Sequence, residues 1–166
     1  MKMGVSKVSI NPKSKSTATK ENALAGEEIE TFLAQRQDAR MATNRNDGWW
    51  HLTPIWYLWD GEHFLHTLGA GRRHLANLRH DPHVTLCVDE DPRLELGLGA
   101  GARSIVCFGT ASLITEGPML REVTEKILVR YLGDEAGIYL EPILAEGRTI
   151  ISVAPERWLT WDFNKD

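Results

Sequence analysis

The chain has only two cysteines, Cys87 and Cys107, in 166 residues. They are too few for a disulfide framework or a four-ligand zinc site, and both sit in apolar runs as small hydrophobes. No stretch approaches the roughly 18 consecutive apolar residues of a membrane helix, which excludes a helical span. Met1 to Ile10 lacks the apolar core of a secretory signal, so a cytoplasmic protein is expected. There is neither a Gly-x-Ser-x-Gly elbow nor a Walker-type phosphate loop, and Ser/His/Asp catalysis has no local support. An excess of positive charge is also missing: 19 basic against 23 acidic residues give −4, which disfavours a general nucleic-acid binder.

The charge is unevenly spread. Residues 1–26 carry five lysines (Lys2, Lys7, Lys13, Lys15, Lys20) and one acid, Glu21, so the rest of the chain carries −8. A basic, Ser/Thr-rich segment without apolar periodicity buries too little surface to offset its ordering entropy. Residues 1–26 are expected to be a flexible basic tail and residues 27–166 one domain.

Within that domain the punctuation is clear. Ile29, Phe32 and Leu33 fall on one face of a helix predicted over 27–37, with acids in its first turn. Strands are expected at Arg40 to Asn44, Trp49 to Trp59 and Glu62 to Leu68, joined by Asp47-Gly48 and Asp60-Gly61 as a three-strand meander. A short helix opens near Arg72 and stops at Asp81-Pro82, because the residue before proline avoids helical geometry. Strands follow at His83 to Asp89 and, after a glycine-rich loop at Gly97 to Gly101, at Arg103 to Ile114. That loop leads into a strand, so it is no dinucleotide fingerprint. Pro118 and Gly133 bracket a helix whose stripe is Leu120, Val123, Ile127, Leu128 and Tyr131. A ragged helix over 134–146 and strands at Thr149 to Val153 and Arg157 to Phe163, joined through Pro155, complete the chain. The pattern is mainly β (α+β): an antiparallel barrel with peripheral helices.

Two segments carry chemistry. Trp49 to Trp59 holds four of the six tryptophans, and neither of its faces is polar, so both must be covered. Pro54 removes a ladder donor, which places this strand at an edge or a bulge. The turn after the third strand offers Gly69, Gly71, Arg72 and Arg73 at a helix start, with His66 and Thr67 just before it. Guanidinium groups, free amides and a hydroxyl together suit a phosphate. The six histidines find no Cys or acid to complete a ligand set, so no metal site is expected.

Arg40-Met41-Ala42-Thr43, Asp47-Gly48, His51-Leu52-Thr53-Pro54-Ile55-Trp56 and Trp59-Asp60-Gly61 resemble the opening of the pyridoxamine 5′-phosphate oxidase-like flavin-binding split barrels. His66-Thr67-Leu68-Gly69-Ala70-Gly71-Arg72-Arg73, Asn77-Leu78-Arg79-His80-Asp81-Pro82 and the closing Trp161-Asp162-Phe163 continue the likeness over roughly 27–164. The resemblance implies a six-stranded antiparallel split β-barrel, homodimeric, with a flavin or deazaflavin in each of two clefts between subunits. Thr53, Pro54, Ile55 and Trp56 would run along the flavin ring. His66, Thr67, Arg72 and Arg73 would hold the phosphate, with Asn77 and a partner's Trp161 completing the cofactor-binding set.

In many such relatives a lysine follows the arginine of the phosphate turn, where this chain has Arg73-His74. The motif by which pyridoxamine phosphate oxidase holds its substrate phosphate is also missing, so vitamin B6 oxidation is not expected. The resulting expectation is an FMN-dependent oxidoreductase acting on an unidentified small molecule, with no nucleic-acid or membrane partner. Two alternatives stay open. One is a reductase using the 8-hydroxy-5-deazaflavin coenzyme, whose acidic tail would follow Arg72, Arg73 and Arg79. The other is a non-catalytic flavin- or haem-binding module. Tyr57 and His51 share a face with Thr53, but no side chain is assigned as general acid or base.

Overall fold

The computed structural model describes residues 21–90 and 101–165. Residues 1–20 of the expected tail and residues 91–100, which include most of the glycine-rich loop expected at Gly97 to Gly101, lie outside the described residues. In chain order the elements are α1 (Glu27–Ala34), β1 (Ala39–Asn44), β2 (Trp50–Ile55), β3 (Leu58–Trp59) and β4 (Phe64–Gly69). They continue with α2 (Arg73–His80), β5 (His83–Glu90), β6 (Arg103–Ile114), α3 (Met119–Leu132), α4 (Ala136–Ala145) and β7 (Arg148–Asp162).

The strands form one antiparallel sheet in the order β2-β1-β5-β6-β7-β4-β3. Its two outermost strands, β2 and β3, are consecutive in sequence and separated only by Trp56 and Tyr57. A sheet whose opposite edges are tied by two residues must curl on itself, and the result is a split barrel of six long strands plus the two-residue β3.

This closure corrects the expected meander. The first hairpin forms, with Ala39 opposite Ile55 and Asn44 opposite Trp50. Gly48 supplies its turn at φ 83°. The long Trp49–Trp59 strand, however, breaks after Ile55. Tyr57 turns fully into the core, where its hydroxyl donates to the Leu33 carbonyl at 3.1 Å. Its amide donates to the Tyr131 hydroxyl at 3.2 Å. Beyond that break β3 pairs with β4, and β4 pairs with β7 instead of β2. Tyr57 is therefore a core residue and no candidate acid or base; burial raises its hydroxyl pKa.

A second correction concerns the C-terminus. The two strands expected around Pro155 are one bulged strand: the ladder runs Phe108↔Arg157 and then Gly109↔Pro155, skipping Glu156. A Cβ on Gly109 would lie 2.3 Å from the Ala154 carbonyl oxygen, so only glycine fits the close approach that the bulge creates.

The barrel interior is filled by Phe32, Met41, Tyr57, Phe64, Leu86, Ile105 and Ile151, all at most 1% exposed. Leu24, within the expected tail, joins this cluster, and its amide donates to the Thr160 hydroxyl at 2.9 Å. The α3 stripe packs Val123, Ile127 and Tyr131 against Leu65 and Ile150. Full burial of Ile127 alone contributes about 2 kcal/mol. Cys87 and Cys107 are free thiols, half-buried and buried respectively. No helix among the described residues is long and apolar enough to cross a membrane.

Candidate binding cleft

Pairing β4 with β7 sets Gly69 opposite Arg148. Sheet closure brings the end of β2 alongside, and α2 starts at the rim. These elements enclose a cleft of about 410 Å³ lined by Thr53, Pro54, Ile55, His66, Thr67, Leu68, Gly69, Arg72, His74 and Arg148. That volume lies in the range of small-molecule and cofactor sites, about 300–1,000 Å³.

Its electrostatics are one-sided. Arg72 and Arg148 are the charged groups of the lining, and no carboxylate lines it. The Arg148 side chain donates from Nε to the Thr67 hydroxyl at 3.2 Å, which in turn shares a 3.0 Å hydrogen bond with the Thr124 hydroxyl. Burial lowers the Arg148 pKa, with Arg72 adding to the effect, yet a guanidinium stays charged at any ordinary pH. Arg72 is the N-cap residue of α2, and no side chain caps that helix end. Its first backbone N–H groups therefore add positive potential at the same rim.

The two imidazoles of the lining are neutral. Burial, with smaller contributions from His74 and Arg148, pushes His66 down to about 4. His74 is also held at about 4, by burial first and then by His51 and Arg72. His66 Nδ1 lies 2.8 Å from the Trp56 carbonyl, which accepts only, so the proton sits on Nδ1 and Nε2 is left as an acceptor. An acceptor suits a donor group of a ligand and opposes a phosphate oxygen. His74 Nε2 shares a 2.6 Å hydrogen bond with the Thr53 hydroxyl, and its ring lies 4.5 Å from that of His51. The buried Nδ1 atoms of His51 and His74 have no partner within the described residues, an unsatisfied polar pair beside the cleft.

Of the residues singled out in the sequence, the fold gathers Thr53, Pro54, Ile55, His66, Thr67 and Arg72 into this one cleft. Four others lie outside the lining. Arg73 is exposed on the first turn of α2. Asn77 is buried and donates to the Thr43 hydroxyl at 2.9 Å, so it fastens α2 to β1. Trp56 stacks on Tyr131, with centroids 4.7 Å apart and ring planes 3° from parallel. Trp161 is half-buried on β7 opposite Ser104. His74 and Arg148 were not assigned to the cleft from sequence. His74 has no sequence signal of its own beside Arg72 and Arg73, and Arg148 lies far along the chain, where only strand pairing reveals its place.

The outer face of β2 is apolar. Trp50 is 64% exposed and Leu52 62%, on a strand that ends the sheet, and Trp49, which precedes the strand, is 75% exposed. No group of three His, Cys, Asp or Glu side chains among the described residues is placed to hold a metal ion.

A family model described as pyridoxamine 5′-phosphate oxidase matches residues 25–162. Sequence comparison with curated proteins finds no match. Among solved structures, a conserved hypothetical protein from Mycobacterium tuberculosis superposes with a TM-score of 0.78 at 24% identity, over 90% of this chain and 92% of that one. An F420 reductase superposes with a TM-score of 0.62 at 25% identity, over 78% of this chain and 94% of that one. HutZ, a haem storage protein from Vibrio cholerae, gives 0.64 at 17% identity, over 82% and 93%.

Proposed function

The chain belongs to the pyridoxamine 5′-phosphate oxidase family, and from that membership we propose that it is an FMN-binding oxidoreductase acting as a homodimer. The observation that carries the proposal is the charge of the cleft. Two guanidinium groups stand in a lining without carboxylates, and its imidazoles are neutral at neutral pH. A phosphate monoester carries about −1.5 to −2 at pH 7, which matches those two positive charges.

In this reading Arg72, Arg148 and the Thr67 hydroxyl hold the phosphate, assisted by the uncapped start of α2. His66 Nε2, an acceptor, takes a hydrogen bond from a ribityl hydroxyl or a ring N–H. Thr53, Pro54 and Ile55 lie beside the flavin ring, and the rigid Thr53–His74 pair sets the polarity of that wall. Bound FMN supplies the hydride chemistry, while the protein supplies binding, orientation and electrostatics. The exposed Trp50 and Leu52 face of β2, with Trp49 just before the strand, meets the partner subunit, which covers apolar surface that a monomer would leave in water.

A second reading is favoured by the 25% likeness to an F420 reductase, which spans 94% of that chain. It places a deazaflavin coenzyme in the same cleft, and the same two arginines serve its phosphate.

Gel filtration of the protein after incubation with each cofactor tests both readings. Co-elution of a flavin absorbance doublet at dimer size supports FMN, and a single deazaflavin band supports the second reading. Retention of neither sinks both.

A further inference from the structure

A second cleft, of about 460 Å³, shares no lining residue with the basic one. It lies between Ile29 and Glu30 of α1, Trp59 of β3, Glu62 of the β3–β4 turn, and Pro155 and Trp158 of β7. Its walls are two tryptophans set edge to face, their ring centroids 5.9 Å apart and their planes at 82°. Both are held in place before any ligand arrives. The Trp59 indole N–H donates to the Glu30 carboxylate at 2.6 Å, and the ring rests on buried Phe64 with centroids 4.9 Å apart. Trp158 packs against the same Phe64 at 5.9 Å. The turn carrying Glu62 is also pinned, since the amides of Glu62 and His63 both donate to one carboxylate oxygen of Asp60.

The charge is opposite to that of the basic cleft. Glu30 and Glu62 are exposed at the rim, and no basic side chain lines the cavity. Neither carboxylate takes part in an ion pair among the described residues. Two fixed aromatic rings beside two negative charges attract a cation through the ring quadrupoles and through Coulomb attraction.

The kind of cation follows from the walls. A primary ammonium is strongly hydrated, and two indole rings, which accept no conventional hydrogen bond, replace little of that hydration. An alkylated ammonium carries its charge on methyl groups, requires no directed hydrogen bond and packs against ring faces. We propose that this cleft binds a small molecule bearing a trimethylammonium group, at a site separate from the cofactor cleft.

Ligand-observed NMR on the full-length protein tests this with choline and its uncharged isostere 3,3-dimethylbutan-1-ol. Choline methyl protons should show saturable transfer, and the isostere should bind about tenfold more weakly. Glu62→Gln, a surface change that leaves the aromatic walls intact, should weaken choline binding and leave FMN binding unchanged. Added salt should weaken it too, because both carboxylates are exposed. Equal binding of the isostere, or an unchanged response in Glu62→Gln, would overturn the proposal. Sedimentation of the protein with phosphatidylcholine vesicles without binding of free choline would overturn it as well, by assigning the site to a membrane headgroup. Because FMN affinity is read separately, failure here and failure of the flavin reading are distinguishable.

Discussion

Replacing Arg148 by alanine removes one of the two positive charges in the basic cleft and the donor to the Thr67 hydroxyl. The fold should tolerate the change, because Thr67 keeps its bond to Thr124 and Arg148 is only half-buried. A charge-assisted hydrogen bond to a phosphate contributes about 1.5–3 kcal/mol. At 1.4 kcal/mol per decade, FMN affinity should fall about 10- to 150-fold. Solvent at the open rim argues for the lower part of that range, and the partial burial of Arg148 for the upper part.

The assay is fluorescence titration of the wild type and Arg148→Ala with FMN and, in parallel, with riboflavin, which lacks the phosphate. The variant should bind riboflavin as the wild type does, within about twofold. Arg73→Ala, outside the cleft lining, should leave both affinities unchanged. Equal losses for FMN and riboflavin would show that Arg148 acts through packing. An FMN affinity unaltered by Arg148→Ala would remove the phosphate from this cleft.

Asn77→Ala should destabilise the protein by about 1–3 kcal/mol, because it leaves the fully buried Thr43 hydroxyl without its donor. Cofactor affinity per folded molecule should stay the same; urea unfolding and a flavin titration separate the two effects. Gly109→Ala should lower stability by about 1–3 kcal/mol or prevent folding, since its Cβ meets backbone and not a movable side chain. A melting temperature within a degree of wild type would refute that reading of the bulge. Stability should fall on acidification from 6.5 towards about 4, because His66 and His74 bind protons in the unfolded chain before they do in the folded one. His66→Asn, which keeps a donor to the Trp56 carbonyl, should flatten that slope in urea midpoints between those values. Asp47 and Asp81, held at about 2 by hydrogen bonds to Arg45 and Asn44 first, contribute only further down, so an unflattened slope would exclude His66 as its source.

What the sequence alone determined is local, and the reason is that turns and helix ends are set by dihedral preferences within a few residues. Asp47-Gly48 and Asp60-Gly61 demand left-handed glycines and have them, at φ 83° and 98°. Asp81-Pro82 stops α2 after His80, and Gly133 ends α3 at φ 60°. Alternation along β2 set Trp50, Leu52 and Pro54 on one face and Ile55 on the other, and Pro54 called for an edge or a bulge, which the end of the sheet provides. Arg72 at a helix start was likewise legible, because Gly69 and Gly71 mark the turn that precedes the helix.

Tertiary structure decided what these pieces meet. Antiparallel neighbours in sequence usually pair, and by that expectation β2 should have joined β4. Instead the hydroxyls of Tyr57 and Tyr131 pull residues 56 and 57 out of the ladder, so β4 turns to β7. That one choice closes the barrel and sets Arg148 across from Gly69. It also puts Trp56 on Tyr131 and outside the cleft lining. The role of Asn77 and the proton position on His66 depend in the same way on atoms far along the chain. Hydrogen bonds between such distant residues exist only once sheet closure has fixed their separation, and no local preference encodes it.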